Sequence, residues 1–454
     1  MLRPAPIRKR LWQAGGALFV FIATITVSNV LSHSDNAVTG KMLGHDFMAF
    51  YTAGTFVHEG RYQELYNLDS VRDFQRDLAK KNGLEVGESF GPWWNPPFYA
   101  WVFAPLSALP YHTALLIWTS FNCLALACAI VLLCKMLPTH LGGEFKSWGL
   151  VPLLIVTSMP FVQAISHGQN TFSSLLLLSL VVTAWRGKRA LLAGLVCGLL
   201  FYKPQLAAVV AVILTLNLGF RVLIGIGFTL SMICMATNWA VPGCFMNWLE
   251  QLPANVHTMQ IEHSYLWERH VTIKGFYRLL IQGRNAGEPL LVTQIFTLFT
   301  TGCFGIALLA AALRVRKQVD CPWSGETRAL SRDRLIAATI ATMPLLMPFY
   351  FDYDLLLLAV PAVLFAGEML LRNSEVPMAR SQRWIVRGWA MLFVWLMFNP
   401  GLARWIHVNG TVMLACGLSA LLLARASRVQ TIASEPGSND QMQPLIDTML
   451  RKAA

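Results

Sequence analysis

Residues 98–136 read FYAWVFAPLSALPYHTALLIWTSFNCLALACAIVLLCKM, an apolar run in which Lys135 is the one formal charge. About 20 apolar residues, each rising 1.5 Å, cross the hydrocarbon core of a bilayer. This run exceeds that length and carries Pro105 and Pro110 in its first half, so it reads as one crossing preceded by a kinked or re-entrant piece. Working outward, further apolar runs cover 11–31, 148–165, 171–185, 190–203, 206–219, 222–241, 291–313, 335–350, 355–371, 388–400 and 408–424. The pattern predicts an all-α integral membrane protein, a polytopic bundle of about 12 transmembrane helices with amphipathic helices on its outer face. Composition agrees: the 454 residues are 55% hydrophobic and 13% charged, against roughly 25% charged in soluble domains.

An even number of crossings places both termini on one side. The N-terminal Arg3, Arg8, Lys9 and Arg10, then Lys135, Lys146, the group Arg186, Lys188 and Arg189, Arg221, and the clusters Arg314 to Arg334 and Arg372 to Arg387 hold most of the 36 Lys and Arg. Short cytoplasmic loops retain positive charge, so these faces and both termini are expected in the cytoplasm. Two long loops, 33–97 and 242–290, then lie outside. The net charge of +12 is this inside-positive bias. Spread over many short loops, it excludes a nucleic-acid-binding face. The chain divides into a membrane domain, 1–430, and a flexible cytoplasmic tail, 431–454, rich in Ser, Gly, Asn, Asp and Pro. The run 11–31 follows a basic stretch as a signal peptide would. It is too long and lacks a clear small-residue cleavage site, so it is expected to be an uncleaved first helix. Nine scattered cysteines with no C-x-x-C pair point to buried apolar residues rather than disulfides or a metal site. The absence of a visible internal repeat argues against a transporter built from two related halves.

Polar residues collect at four places on the expected outer face. In 44–54, GHDFMAFYTAG, the apolar positions Phe47, Phe50, Gly54 and Val57 recur at helical spacing, so Asp46 stands at the start of an amphipathic surface helix. Its carboxylate either caps that helix or serves chemistry. Trp93-Trp94-Asn95-Pro96-Pro97 closes the same loop, either as an interfacial aromatic belt with Pro in the first helical turn or as a surface on which a sugar or lipid stacks. The third place combines His167-Gly168-Gln169-Asn170 with Lys203-Pro204-Gln205. Lys203 sits among Leu199, Leu200, Phe201, Leu206 and Ala207, where a charge is costly. It either snorkels to the interface or meets an anionic ligand such as a phosphate. The fourth is Phe351-Asp352-Tyr353-Asp354, whose carboxylates can cap, bind a cation or face a cavity.

These blocks carry a resemblance. The succession Asp46-Phe47-x-x-Phe50-Tyr51-x-Ala53-Gly54, Leu65-Tyr66-Asn67, Trp94-Asn95-Pro96-Pro97, Pro105-Leu106-x-x-Leu109-Pro110, Gly168-Gln169-Asn170, Ala193-Gly194-Leu195-x-x-Gly198-Leu199-x-x-Tyr202-Lys203-Pro204-Gln205 and Phe351-Asp352-Tyr353-Asp354-Leu355 resembles glycosyltransferase family 87. These are bacterial membrane mannosyltransferase-like proteins, similar to other GT-C enzymes that use polyprenyl-phosphate sugars. The similarity runs in order from about residue 44 to 362.

The resemblance implies a GT-C-like fold in the bacterial inner (plasma) membrane, with the active site on the periplasmic face. It implies a polyprenyl-phosphate sugar donor, a lipid or glycan acceptor, and mannose as the expected hexose, in a setting of membrane lipids. Asp46 occupies the position of the acidic residue that serves as base in the first outer loop. A leaving phosphate needs a cation rather than an acid, and Lys203 is the candidate, with His167 and Gln169 beside it. Tyr51, Trp94, Asn95, Asn170, Gln205, Asp352 and Asp354 are expected to contact sugar or lipid. Where many family members carry Tyr, this chain has Asn95, and it lacks the histidines often found near Asp352 and Asp354. No cofactor and no metal are implied, since Glu262-His263 lacks the i, i+4 histidine pair of a zinc site. The loop residues His257, Glu262, His263, Glu268, Arg269 and His270 match no pattern and are weaker candidates. A transporter or flippase of lipid-linked sugars and a non-catalytic envelope assembly protein are the alternatives. The near absence of ionisable residues in mid-helix disfavours the former.

Overall fold

A computed structural model describes residues 12–13, 15–24, 27, 43–84, 86, 90–138, 145–317, 325–371 and 377–428. The basic N-terminal residues, residues 28–42 and the expected tail 431–454 lie outside the described residues, and of the expected first helix only Gly15–Thr24 forms a described apolar helix, α1. The α-helices that follow are α2 (Phe47–His58), α3 (Leu68–Lys81), α4 (Pro97–Ser107), α5 (Tyr111–Met136), α6 (Phe145–Val156), α7 (Met159–His167), α8 (Thr171–Arg186), α9 (Ala190–Leu199), α10 (Pro204–Leu218), α11 (Arg221–Ala240), α12 (Cys244–His257), α13 (Ile273–Gln282), α14 (Leu291–Lys317), α15 (Gly325–Leu346), α16 (Ala359–Leu370), α17 (Arg380–Trp395), α18 (Gly401–Ile406) and α19 (Gly410–Ala426). Among the described residues there is no strand, and one isolated bridge joins His270 to Phe351.

The described residues are all-α, as expected, and fewer of their helices than the expected 12 are long and apolar enough to cross a bilayer unbroken. Among the described residues, four helical stretches are long and apolar enough to span a bilayer: α5, α11, α14 and the turn 352–358 continued by α16. A fifth crossing arises if α6 and α7, bent by 63° at Thr157-Ser158, are taken together. The remaining apolar helices are shorter, with α1, α8, α10 and α19 among them. The breaks have local causes. Pro110 stands in the turn that divides the run 98–136, at the N-cap of α5, because its ring lacks an amide donor and clashes with a preceding helical carbonyl, whereas Pro105 is carried inside α4. Pro160 likewise follows the α6–α7 bend, where Ser158 caps the new helix by accepting from the Phe161 amide. Where they are described, both expected outer loops carry helices: 33–97 contains α2 and α3, and 242–290 contains α12 and α13.

Packing follows from small residues where helices meet. A Cβ on Gly194 of α9 would stand 2.2 Å from the Val222 carbonyl oxygen, and one on Gly225 of α11 would stand 2.4 Å from that of Leu191, so these helices touch backbone to backbone. One large aliphatic core joins α5, α8, α9, α10, α15, α16 and α19. A second core is aromatic. Phe47, Phe50, Tyr51, Trp93, Tyr99, Phe103, Tyr111 and Trp118 interlock where α2 lies on α4 and on the start of α5. Each such ring pair contributes about 0.5–1.5 kcal/mol beyond area burial. Outside these cores, Leu116, Phe121 and Leu124 of α5, Phe228, Met235 and Trp239 of α11, and Leu298, Phe299 and Ile306 of α14 are exposed. Such long apolar faces are unfavourable in water and natural against lipid tails.

Candidate active site

The site is built where α7 ends and α8 begins. Gly168 stops α7 in the left-handed region, φ +69°, and a Cβ there would lie 2.8 Å from the Phe47 Cβ, so glycine is required by conformation and by space. The segment leading into α2 is laced to this turn. Gly44 N–H donates to Ser166 O at 2.8 Å, Asp46 N–H to His167 O at 3.0 Å, Tyr111 hydroxyl to Gly44 O at 3.1 Å, and Trp118 Nε1–H to Gly168 O at 2.8 Å. The backbone thereby fixes Asp46 at the N-cap position of α2.

Its carboxylate nevertheless makes no capping hydrogen bond. The residue has φ −80° and ψ −24°, already helical, whereas a capping side chain needs an extended backbone to reach the next amides. Asp46 Oδ2 instead accepts from Gln169 Nε2 at 2.7 Å and stands 3.5 Å from His167 Nδ1. Of the two roles the sequence left open, the cap is not realised. Burial raises the Asp46 pKa, but the His167 contact and charge, the charge of His45 and the Gln169 hydrogen bond outweigh it and hold the carboxyl below its usual range. Asp46 is therefore an anion at neutral pH.

Two ion pairs flank it. Asp354 accepts from Lys203 Nζ at 2.8 and 3.0 Å and from Thr171 Oγ1 at 2.9 Å. The Lys203 side chain is 12% exposed, so it does not snorkel to an interface; its partner is a carboxylate of the same chain. Asp352 accepts from Arg269 Nη2 at 2.9 Å and Nε at 3.2 Å, a forked pair, and from Gln163 Nε2 at 3.0 Å. Between the pairs lies the Tyr353 ring, with Lys203 Nζ 6.0 Å and the Arg269 guanidinium 5.9 Å from its centroid and the His167 ring at 6.4 Å. Val271 N–H donates to Tyr350 O at 2.8 Å, so the segment carrying Arg269 is clamped against the segment carrying Asp352. Burial and the neighbouring Lys274 and Arg269 push His270 down to about 3, leaving it neutral and no rival to Arg269 as a cation.

Asp46, His167, Gln169, Lys203, Asp352 and Asp354 are thus brought together. Asn170 joins them as the residue before α8, buried, with its Oδ1 lacking a hydrogen-bond donor. Tyr51 does not: its hydroxyl donates to Leu109 O at 2.8 Å and holds the α4–α5 turn. Trp94 and Asn95 are half-buried at the edge of the aromatic core, where their carbonyls accept from Trp248 Nε1 and the Tyr66 hydroxyl. Gln205 is half-buried in the first turn of α10. Sequence reasoning ranked Arg269 low, because its loop matched no pattern and its partner Asp352 lies 83 positions away. Gln163 and Thr171 were missed for the same reason. Among the described residues no group of three or more His, Cys, Asp or Glu is placed to hold a metal ion.

The model of glycosyltransferase family 87 matches residues 93–348, more than half of the chain. The match takes in His167, Gln169, Asn170, Lys203 and Arg269 and leaves Asp46, Asp352 and Asp354 outside. No curated protein and no solved structure matches the chain.

Proposed function

The chain belongs to glycosyltransferase family 87, and from that premise we propose that it moves a hexose, with mannose the first candidate, from a polyprenyl-phosphate donor to a hydroxyl of a lipid or glycan acceptor. The reading rests above all on Asp46: a half-buried carboxylate at a helix start that caps nothing and is held ionised by His167, His45 and Gln169. In the reaction the acceptor oxygen attacks the anomeric carbon, the bond from that carbon to the phosphate oxygen breaks, and polyprenyl phosphate departs with the bonding pair. Asp46 takes the hydroxyl proton as the new bond forms. The departing phosphate leaves as an anion and needs no proton. Lys203 and Arg269 supply positive charge at that position, each already oriented by an aspartate, so little reorganisation accompanies the charge shift. His167 lies against Asp46 and steadies the charge that the carboxylate carries before transfer.

The site is proposed to face the periplasm, in the orientation expected from the Lys and Arg distribution. The test is transfer of radiolabelled mannose from polyprenyl-phosphate-mannose to endogenous membrane lipids and glycans, using membranes with the wild-type protein, with Asp46→Asn, and with neither. Transfer that the wild type performs and the variant lacks, at equal amounts of folded protein, supports both donor and base. Equal transfer by the two removes Asp46 from the mechanism. A wild-type protein inactive with this donor but active with another lipid-linked sugar corrects the sugar.

A further inference from the structure

Arg269 presents its charge from a loop, and the backbone on both sides of it is held. On one side Val271 N–H donates to Tyr350 O at 2.8 Å. On the other, Asn409 reaches across from the start of α19, and its Nδ2 donates to Glu268 O and to His270 O, both at 3.0 Å. One amide nitrogen thus grips the carbonyls of the two residues that bracket Arg269. The Asn409 Oδ1 is used as well: as the N-cap of α19 it accepts from Thr411 N–H at 3.1 Å. Asn409 is fully buried. Asparagine is the shortest side chain that offers two donors on one nitrogen together with an acceptor, whereas serine, threonine and aspartate can cap but cannot hold both carbonyls.

Behind this grip stands the large aliphatic core. There α19 buries Val412, Ala415, Leu418 and Leu422, and Ser419 Oγ donates to Ala341 O of α15 at 2.8 Å. The Arg269 segment is only a single turn, Trp267–Arg269, and a turn that short has no rigidity of its own. It borrows that of α19 through Asn409. The consequence falls on the guanidinium, whose forked pair with Asp352 is directional. A backbone shift of about 1 Å misplaces such a group enough to matter for a reaction.

We propose that Asn409 is a positioning residue for sugar transfer, acting through Arg269 by fixing the backbone on either side of it, so that the guanidinium stands ready where the departing phosphate gathers charge. This rests on the reading in which Arg269 stabilises that phosphate. Asn409 lies outside residues 93–348, the part of the chain that the family model matches, and it grips backbone rather than the guanidinium, so its contribution is geometric.

The experiment uses the full-length protein in detergent and two measurements. Asn409→Ser keeps a capping oxygen and removes both N–H donors; Ser419→Ala removes a hydrogen bond of α19 about 15 Å further along the helix and serves as control. Hydrogen–deuterium exchange over 266–272 reads the grip without reference to any reaction. In Asn409→Ser the amides of Arg269, His270 and Val271 should exchange about tenfold faster, as two lost hydrogen bonds imply, and in Ser419→Ala they should not change. Transfer from polyprenyl-phosphate-mannose, or from whichever lipid-linked sugar the wild type uses, is then measured per folded protein as a double-mutant cycle. Asn409→Ser should lower kcat/KM about tenfold in the wild-type background and have no further effect in Arg269→Gln, whose amide can still donate to Asp352. If Asn409→Ser does not fold, Asn409→Asp, which keeps the shape and the cap, enters the same cycle. Equal losses in both backgrounds assign Asn409 to folding alone and overturn the proposal. Unchanged exchange over 266–272 overturns it while leaving the role of Arg269 intact. Faster exchange with an Arg269→Gln protein as active as the wild type overturns it from the other direction, because the grip is then real and Arg269 has no part in transfer.

Discussion

The two ends of α8 and α16 solve the same electrostatic problem in opposite ways. At the Arg425 end, where Arg186 holds Asp333 and Arg334 and Arg425 share Glu368, arginines outnumber carboxylates, and Arg332 and Arg425 each keep a buried Nε–H without a hydrogen-bond partner. At the Asp46 end, each fixed cation has its own aspartate, Lys203 with Asp354 and Arg269 with Asp352, and the charge left over is the carboxylate of Asp46. Ionisable groups this deeply buried are costly and are normally neutralised in pairs. What remains after pairing is therefore informative: at the Asp46 end it is the carboxylate that the proposed reaction uses as its base.

Replacing the surplus carboxylate gives the largest expected effect. Asp46→Asn should lower the rate of sugar transfer by about 10²–10⁴-fold, the usual contribution of a positioned general base, with the stability supplied by the ionised carboxylate beside His167 lost alongside it. Breaking a pair instead should act on the fold. Asp354→Asn strands Lys203 in a site 12% exposed, at an expected cost of about 3–5 kcal/mol, seen as a lowered unfolding temperature in detergent. The double change Lys203→Met with Asp354→Leu should recover most of that stability. If it also recovers transfer, the pair serves packing alone and Lys203 has no part in stabilising the departing phosphate. Away from both ends, Gly194→Ala should destabilise by about 1–3 kcal/mol through overpacking, since the added Cβ meets the Val222 carbonyl, with transfer by the folded fraction unchanged.

The same comparison shows what a linear sequence can and cannot disclose. Apolar runs announced the helices, because membrane crossing imposes a length and a composition on each segment. They announced a break in 98–136 without saying which proline makes it, for Pro105 is carried inside α4 while Pro110 stands at the N-cap of α5, and they did not disclose that α6 and α7 are separate. Asp46, Gln169 and Lys203 were legible because a charge or amide stands out in apolar surroundings. Their partners were not. The Gln169–Asp46 contact spans 123 positions and the Lys203–Asp354 pair 151, and no local periodicity encodes such distances. Arg269 shows the limit most clearly: in a loop rich in charges it stood out from nothing, and its importance comes from the clamp between Val271 and Tyr350.

The smallest expected effect bears on His167 and concerns pH rather than amplitude. Asp46 is pulled two ways: burial raises its pKa, and His167, His45 and Gln169 lower it, with the lowering winning. A group whose folded pKa is depressed stays ionised as pH falls through the usual carboxylate range, so transfer that needs ionised Asp46 should persist there and fail only at lower pH. The stability that the depression contributes has the same sign: present above the ordinary carboxylate pKa, lost as pH falls through the folded value. His167→Gln removes the largest lowering influence while keeping an amide that can donate to Oδ2. Burial then acts with less opposition, and the acid limb of the kcat/KM profile should move to higher pH, with transfer at neutral pH reduced only modestly. An unmoved acid limb, with transfer reduced equally at every pH, would mean that His167 shapes the site without setting the charge of Asp46. The proton acceptor would then be tuned by Gln169 and His45 alone.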